Sequence, residues 1–295
     1  MTAAFLAETG EDRDTSLLSD LKDVIRQQYA ATARHLQTTL GPSEIGHPCP
    51  RKLATALTVG TKLETPINPE GDPLPSWVGT AGHSRLELAI ELDNNRIIDE
   101  RAAYEAEHGD RGGPRCTFLG EITNDGDPMA IGRWFTERRV TIRPGLSGTC
   151  DLYDTWTDTV IDAKFPGTTA FQGYLKSVQA GRVPNVEYQV QAHAYGRGYR
   201  NEGFDVKRVA IWFLPRGGQL SKSFLWSEPY NDEIVDAALA KLDNIALLLD
   251  EFDVTADHLE RLALFPRKPH NCPYCPVFTP QKGHPNPIAC NGGAA

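Results

Sequence analysis

The stretch GTCDLYDTWTDTVIDAK, residues 148–164, reads as a β-hairpin whose two arms carry acids at facing positions. Apolar Leu152, Tyr153, Val160, Ile161 and Ala163 suit half-buried strands, and Thr155–Asp158 supplies the turn. With that turn, Asp154 faces Thr159, Tyr153 faces Val160, Leu152 faces Ile161, and Asp151 lies opposite Asp162. A two-residue turn at Trp156-Thr157 keeps this register, and a three-residue loop shifts it. Asp162 and Lys164 are two apart and so share one face. Like charges directly opposite on a sheet are unfavourable. A divalent cation between the two aspartates removes that cost, because hard cations take oxygen ligands. The plain alternative is an exposed hairpin face with an incidental Asp–Lys pair.

Outward from the hairpin, RWFTERRVTI (133–142) is a further strand, and helices are expected at 168–180 and 185–200. Strands follow near 205–214 and 219–227, then an amphipathic helix over 231–251 and a short one over 255–264. Upstream, Leu17, Leu21, Val24, Ile25, Tyr29, Ala33 and Leu36 keep helical spacing through 16–39. A short helix follows Cys49, and TAGHSRLELAIELDNN forms another. Residues 97–131 show no clear pattern. The order of helices, β-meander, helices, strands and closing helix describes a mixed α/β sheet with helical flanks.

The chain has 295 residues, 40% hydrophobic and 23% charged, enough for a buried core in one large domain or two small ones. No apolar run reaches membrane-spanning length, and the acidic start MTAAFLAETGEDRDTS does not fit a signal peptide. A cytoplasmic setting is therefore expected. Six scattered cysteines then read as metal ligands or core rather than disulfides. A net charge of −9 excludes a protein that coats duplex DNA by bulk attraction, but not an enzyme with a local basic channel.

Two helical pairs add chemistry. His83 and Glu87 are four apart and share a helix face, as do Gln191 and Tyr195. A neutral imidazole is a good metal ligand. The bland alternatives are a surface histidine and a solvated helix face. Cys272 and Cys275 form C-x-x-C in a Pro-dense tail with Cys290, and Cys49 lies far upstream in HPCPRKL. Four thiolates suit a [4Fe–4S] cluster or a zinc ion, with His270 or His284 available to replace one thiolate on zinc. The tail, 266–295, cannot bury a core by itself. The basic, aromatic run holding Arg133, Trp134, Arg138 and Arg139 suits contact with a nucleic-acid backbone or stacking on bases, or else a charged strand edge.

Asp151 followed eleven residues later by Asp162-Ala163-Lys164 resembles the core of PD-(D/E)XK nucleases, and GTCD (148–151) resembles the form found in their RecB-like branch. GTAGH (79–83) is similar to that branch's upstream motif ending in a metal-binding histidine. QAHAY (191–195) is similar to its downstream Q-x-x-x-Y motif. Cys49 plus the three C-terminal cysteines resembles the iron–sulfur staple of CRISPR-associated adaptation exonucleases and AddB-type nucleases. Fourteen residues separate Cys275 from Cys290, longer than the usual gap.

The resemblance implies a restriction-endonuclease-like central sheet with flanking helices, stapled by a metal cluster joining the two ends. It implies one nuclease domain over 1–295, with 79–230 as catalytic core and 43–60 and 265–295 as the cluster-binding part. His83, Asp151, Asp162 and the Ala163 carbonyl would bind Mg²⁺ or Mn²⁺. Lys164 would act on the attacking water and the phosphate, with Gln191 and Tyr195 positioning Lys164 or the strand. The implied activity is single-stranded DNA exonuclease, commonly 5′-to-3′, in recombination, repair or processing. No G-x-x-x-x-G-K-[ST] loop is present, so a separate helicase or recombinase is the expected partner. Rival expectations are a non-catalytic nucleic-acid-binding module, a zinc-stapled structural protein, and an endonuclease on the same fold.

Overall fold

The structure, a computed structural model, describes residues 10–30, 39–60, 67, 72–109, 113–122, 128–272, 275–281 and 283–292. Five strands form one sheet in the order β3-β4-β5-β6-β7: Trp134–Arg143, Leu146–Asp154, Thr159–Lys164, Arg208–Phe213 and Phe224–Pro229. A two-stranded sheet, β1 (Thr117–Ile122) and β2 (Pro128–Gly132), stands beside it. The hairpin register is the expected one, with Leu152 on Ile161, Tyr153 on Val160 and Asp154 on Thr159. Strands β5 and β6 are parallel. A parallel pair needs a crossover, and α5 (Thr168–Gln179) with α6 (Val186–Asn201) provides it.

Helix α6 starts where Asn185 accepts a hydrogen bond from the Tyr188 N–H, an Asn cap. Its Ala192, Tyr195 and Tyr199 pack on Val140, Cys150, Tyr153, Val160 and Val209 of the sheet. Tyr195 and Gln191 are both buried, so their shared face is not the solvated one that was the bland alternative. Another cluster joins α3 (Pro50–Val59) and α7 (Asp232–Glu251) through Leu53, Ala54, Val235, Leu242 and Ile245. Val277 and Ile288 of the Pro-dense tail enter this same cluster. The tail thus borrows a core it cannot build.

The N-terminal helix α1 spans Gly10–Ala30, and the later part expected through residue 39 falls largely outside the described residues. Its Leu17, Leu21 and Val24 are exposed rather than packed. A four-residue helix, α2 (Pro42–Ile45), precedes Cys49. Helix α4 runs over Leu74–His108, well beyond the expected span and into residues that showed no pattern. Ion pairs one turn apart, Arg96–Glu100 and Arg101–Glu105, support its polar second half. Asn94 locks α4 to the sheet: its Oδ1 accepts from the Arg133 and Trp134 N–H groups, and its Nδ2 donates to the Trp134 carbonyl. Among the described residues no helix is long and apolar enough to cross a membrane.

Candidate metal centre

Regular strands alternate faces, yet in β3 Val140 and Phe135, five apart, pack into the same cluster. In β4 Cys150 and Tyr153, three apart, do likewise. Odd separations on one side mean that both strands break their alternation. On β3 the break has a visible cause, because Glu137 sits at φ +43°, left-handed backbone that a side chain rarely takes. The pairs Thr136–Leu152 and Arg138–Cys150 flank it, so Glu137 stands across from Asp151. Strain of this kind collects at functional sites.

The same irregularity frees Asp151. Pairing of β4 with β5 ends at Leu152–Ile161, so Asp151 does not continue the ladder opposite Asp162 as expected. Its Oδ2 instead accepts the Ala163 N–H at 2.7 Å, and its Oδ1 lies 3.4 Å from His83 Nδ1. His83, Glu137 and Asp151 bring one ligand atom each to within 4.8 Å of one another. Among the described residues no other trio of His, Cys, Asp or Glu donors is so close. The expected set had His83 and Asp151 but missed Glu137.

Asp162 and Lys164 complete the corner. Lys164 Nζ stands 2.6 Å from Asp162 Oδ2, an ion pair, yet that buried oxygen has no partner of hydrogen-bond geometry. Lys164 also donates to Gln191 Oε1 at 3.1 Å, and Gln191 Nε2 donates to the Tyr195 hydroxyl at 3.1 Å. The ammonium lies 4.7 Å from the centre of the Tyr188 ring. Gln191 therefore holds Lys164, and Tyr195 holds Gln191.

The buried aspartates of this hairpin differ in a telling way. Asp154 takes two hydrogen bonds from Arg133 and one each from the Trp156 N–H and Thr157 hydroxyl. Burial alone would raise its carboxyl, but these donors hold it below the ordinary value. Asp162 is equally buried with far less support: burial pushes it up to about 6, Lys164 pulls it down, and Asp151 pushes it up again. Asp151 is also opposed by burial, but His83, Lys164 and the Ala163 N–H keep it depressed. Asp154 is a satisfied structural acid. Asp162 is a buried acid whose support is the Lys164 ammonium, and burial still raises its carboxyl, which marks it as a candidate functional group.

Other expected site residues are committed elsewhere. The Arg133 guanidinium lies between the Trp134 and Trp156 rings, 4.1 and 4.7 Å from their centres, besides binding Asp154. Trp134 donates its indole N–H to Asp93. Arg138 pairs with Glu202 at 2.8 Å. Arg133, Trp134 and Arg138 are half-buried with these partners, and of the four only Arg139 is exposed.

The cysteines do converge. Cys49, Cys272, Cys275 and Cys290 line one solvent-open cavity, together with Arg51, Lys52, Arg267, Lys268, His47 and His270. The tail is folded over it by the Cys290 N–H on the Val277 carbonyl and the Cys275 N–H on the Cys272 carbonyl. Burial pushes the Cys275 thiol up, and Cys49 and Cys290 are near enough to add to it.

Gly82 explains the glycine before His83. A Cβ there would stand 2.9 Å from Phe165 Cδ1, and that ring meets the His83 ring edge to face at 5.0 Å. Gly82→Ala is expected to keep the fold but tilt His83 off Asp151, weakening Mn²⁺ binding at least about tenfold. Titration calorimetry with Mn²⁺ measures this, and unchanged affinity would show that the glycine serves helix packing only.

No family model and no curated protein matches the chain. Among solved structures it is similar to an alkaline exonuclease from Laribacter hongkongensis, at 15% identity and a TM-score of 0.32 over 56% of this chain and 69% of that one. A structure of that exonuclease with dAMP is 13% identical, with a TM-score of 0.31 over 76% and 96%. A phage-related exonuclease from Haemophilus somnus 129PT is 11% identical, with a TM-score of 0.28 over 65% and 90%. Likeness this distant decides nothing about the chemistry of this chain, which has to come from its own side chains.

Proposed function

We infer that the protein is a divalent-metal-dependent nuclease, an exonuclease on single-stranded DNA. One observation carries this: a histidine and two carboxylates within 4.8 Å of one another beside a buried aspartate paired with a held lysine. His83, Glu137, Asp151 and Asp162 would hold Mg²⁺ or Mn²⁺, the hard-ligand set those ions prefer. A bound divalent cation there supplies Lewis-acid polarisation of a phosphodiester oxygen and a water of lowered pKa.

The protein's own contribution is preorganisation. Gln191 and Asp162 fix the Lys164 ammonium at the edge of the corner, so its remaining proton meets charge building on the phosphate without reorganisation. Tyr195 keeps Gln191 in the rotamer that accepts from Lys164. Asp151, held ionised by its donors, anchors the corner to β5 through the Ala163 N–H.

The four thiols fit a [4Fe–4S] cluster as the staple between the chain's two ends. Cations around the cavity match the negative charge of four thiolates. A single zinc ion is the alternative occupant of the same four thiolates.

The test is hydrolysis of end-labelled linear and circular single-stranded DNA by anaerobically purified protein, with Mn²⁺ or EDTA, alongside iron and zinc analysis. Metal-dependent release of mononucleotides from linear DNA only, starting at the 5′ end, is the expected result. Cleavage of the circle would make it an endonuclease. Binding without cleavage would make it a nucleic-acid-binding module.

A further inference from the structure

The first turn of α6 faces the two segments that bear the cysteines. His47 precedes Cys49 by two residues, and His270 precedes Cys272 by two. Both turn Nε2 toward one carboxylate oxygen, Glu187 Oε1, at 3.6 and 3.3 Å. The Glu187 side chain is mostly buried, and neither its Oε1 nor His47 Nε2 has a partner of good hydrogen-bond geometry.

Two imidazoles on one carboxylate suggest a metal site, but the tautomer argues otherwise. The Cys49 N–H donates to His47 Nδ1 at 3.2 Å, so the neutral ring carries its proton on Nε2. It presents a donor, not a lone pair, to Glu187, whereas His270 Nε2 accepts from the Asn271 side-chain amide at 3.1 Å and offers Glu187 no donor. The backbone is clamped at the same place, since a Cβ on Gly46 would stand 3.0 Å from Glu187 Cα and from Val190 Cβ. Gln191 is one helical turn beyond Glu187, and Gln191 holds Lys164.

We propose that Glu187 is a positioning residue for Lys164: through His47 it ties α6 to the segment that bears Cys49, so that closure of the four-cysteine cavity sets where Gln191 holds the ammonium. This account of Glu187 rests on the nuclease assignment for its kinetic consequence alone.

Two measurements on E187A test it, with E187Q as the variant that keeps the volume should E187A fold poorly. The first is kinetics per folded molecule on single-stranded DNA with saturating Mn²⁺. An unchanged KM with kcat lower by up to about a hundredfold is expected, the size of effect that a misplacement of about 1 Å brings. The second is acylation of Lys164 by a soluble N-hydroxysuccinimide ester, read by mass spectrometry in EDTA. Faster labelling of Lys164 than in wild type is expected, with labelling of Lys176 and Lys207 unchanged.

Normal kcat with normal Lys164 labelling in a folded variant would overturn the proposal, leaving Glu187 a packing residue. If wild type itself hydrolyses nothing, the nuclease assignment falls while the labelling still decides the role of Glu187.

Discussion

Asp162→Asn is expected to be more stable than wild type in EDTA at pH 8, and inactive. The carboxyl of Asp162 is pushed from 3.8 up to about 6, mainly by burial. A group raised in the folded state gives stability that is whole below its unfolded pKa and lost as pH rises through the folded one. For Asp162 the loss therefore falls between about pH 4 and 6 and amounts to roughly 3 kcal/mol. Asparagine avoids it. Lys164 is already counted in that balance, because its attraction is part of the net shift.

Thermal unfolding in EDTA checks the sign: wild type should lose stability from pH 4 to pH 7 relative to the variant, which should melt on the order of 5 °C higher at pH 8. Asp151 does not confuse this window. Its depressed carboxyl gives stability that is lost only as pH falls below the ordinary carboxylate range. Mn²⁺ should then reverse the order by stabilising wild type and not the variant. A variant less stable than wild type at pH 8 in EDTA would mean that the Asp162–Lys164 pair is structural.

Lys164→Met is expected to lower hydrolysis by about 10²–10⁴-fold and to destabilise the protein in a pH-dependent way. Removing one partner of a buried ion pair costs about 3–5 kcal/mol because the other charge is left alone. That cost should appear at pH 8 and shrink toward pH 5, where Asp162 takes up a proton. Adding Asp162→Asn to Lys164→Met should restore stability but not activity. Equal destabilisation at pH 5 and pH 8 would show that Lys164 contributes packing against Tyr188 rather than charge.

Much of this site was legible in the residues because it rests on local rules. The turn over Thr155–Asp158 sets the hairpin register, and the two-residue alternation puts Asp162 and Lys164 together. Helical spacing placed Gln191 and Tyr195 on one face, although it could not say that the face was buried. Glu137 escaped notice because its place depends on a left-handed residue that breaks alternation, and nothing in TERRV announces that. The partners of Arg133, Trp156 in the turn and Asp154 across the hairpin, were not legible in the run that holds it because they meet it only in three dimensions. The length of α4 was hidden for a related reason. Its second half lacks an apolar stripe and relies on ion pairs and on Asn94.

Crystals soaked in Mn²⁺ and measured at the manganese edge test the central claim most directly. The account predicts an anomalous peak among His83, Glu137, Asp151 and Asp162, absent from Asp151→Asn crystals that keep the same fold. Manganese bound elsewhere, with this corner empty at saturating ion, would contradict it.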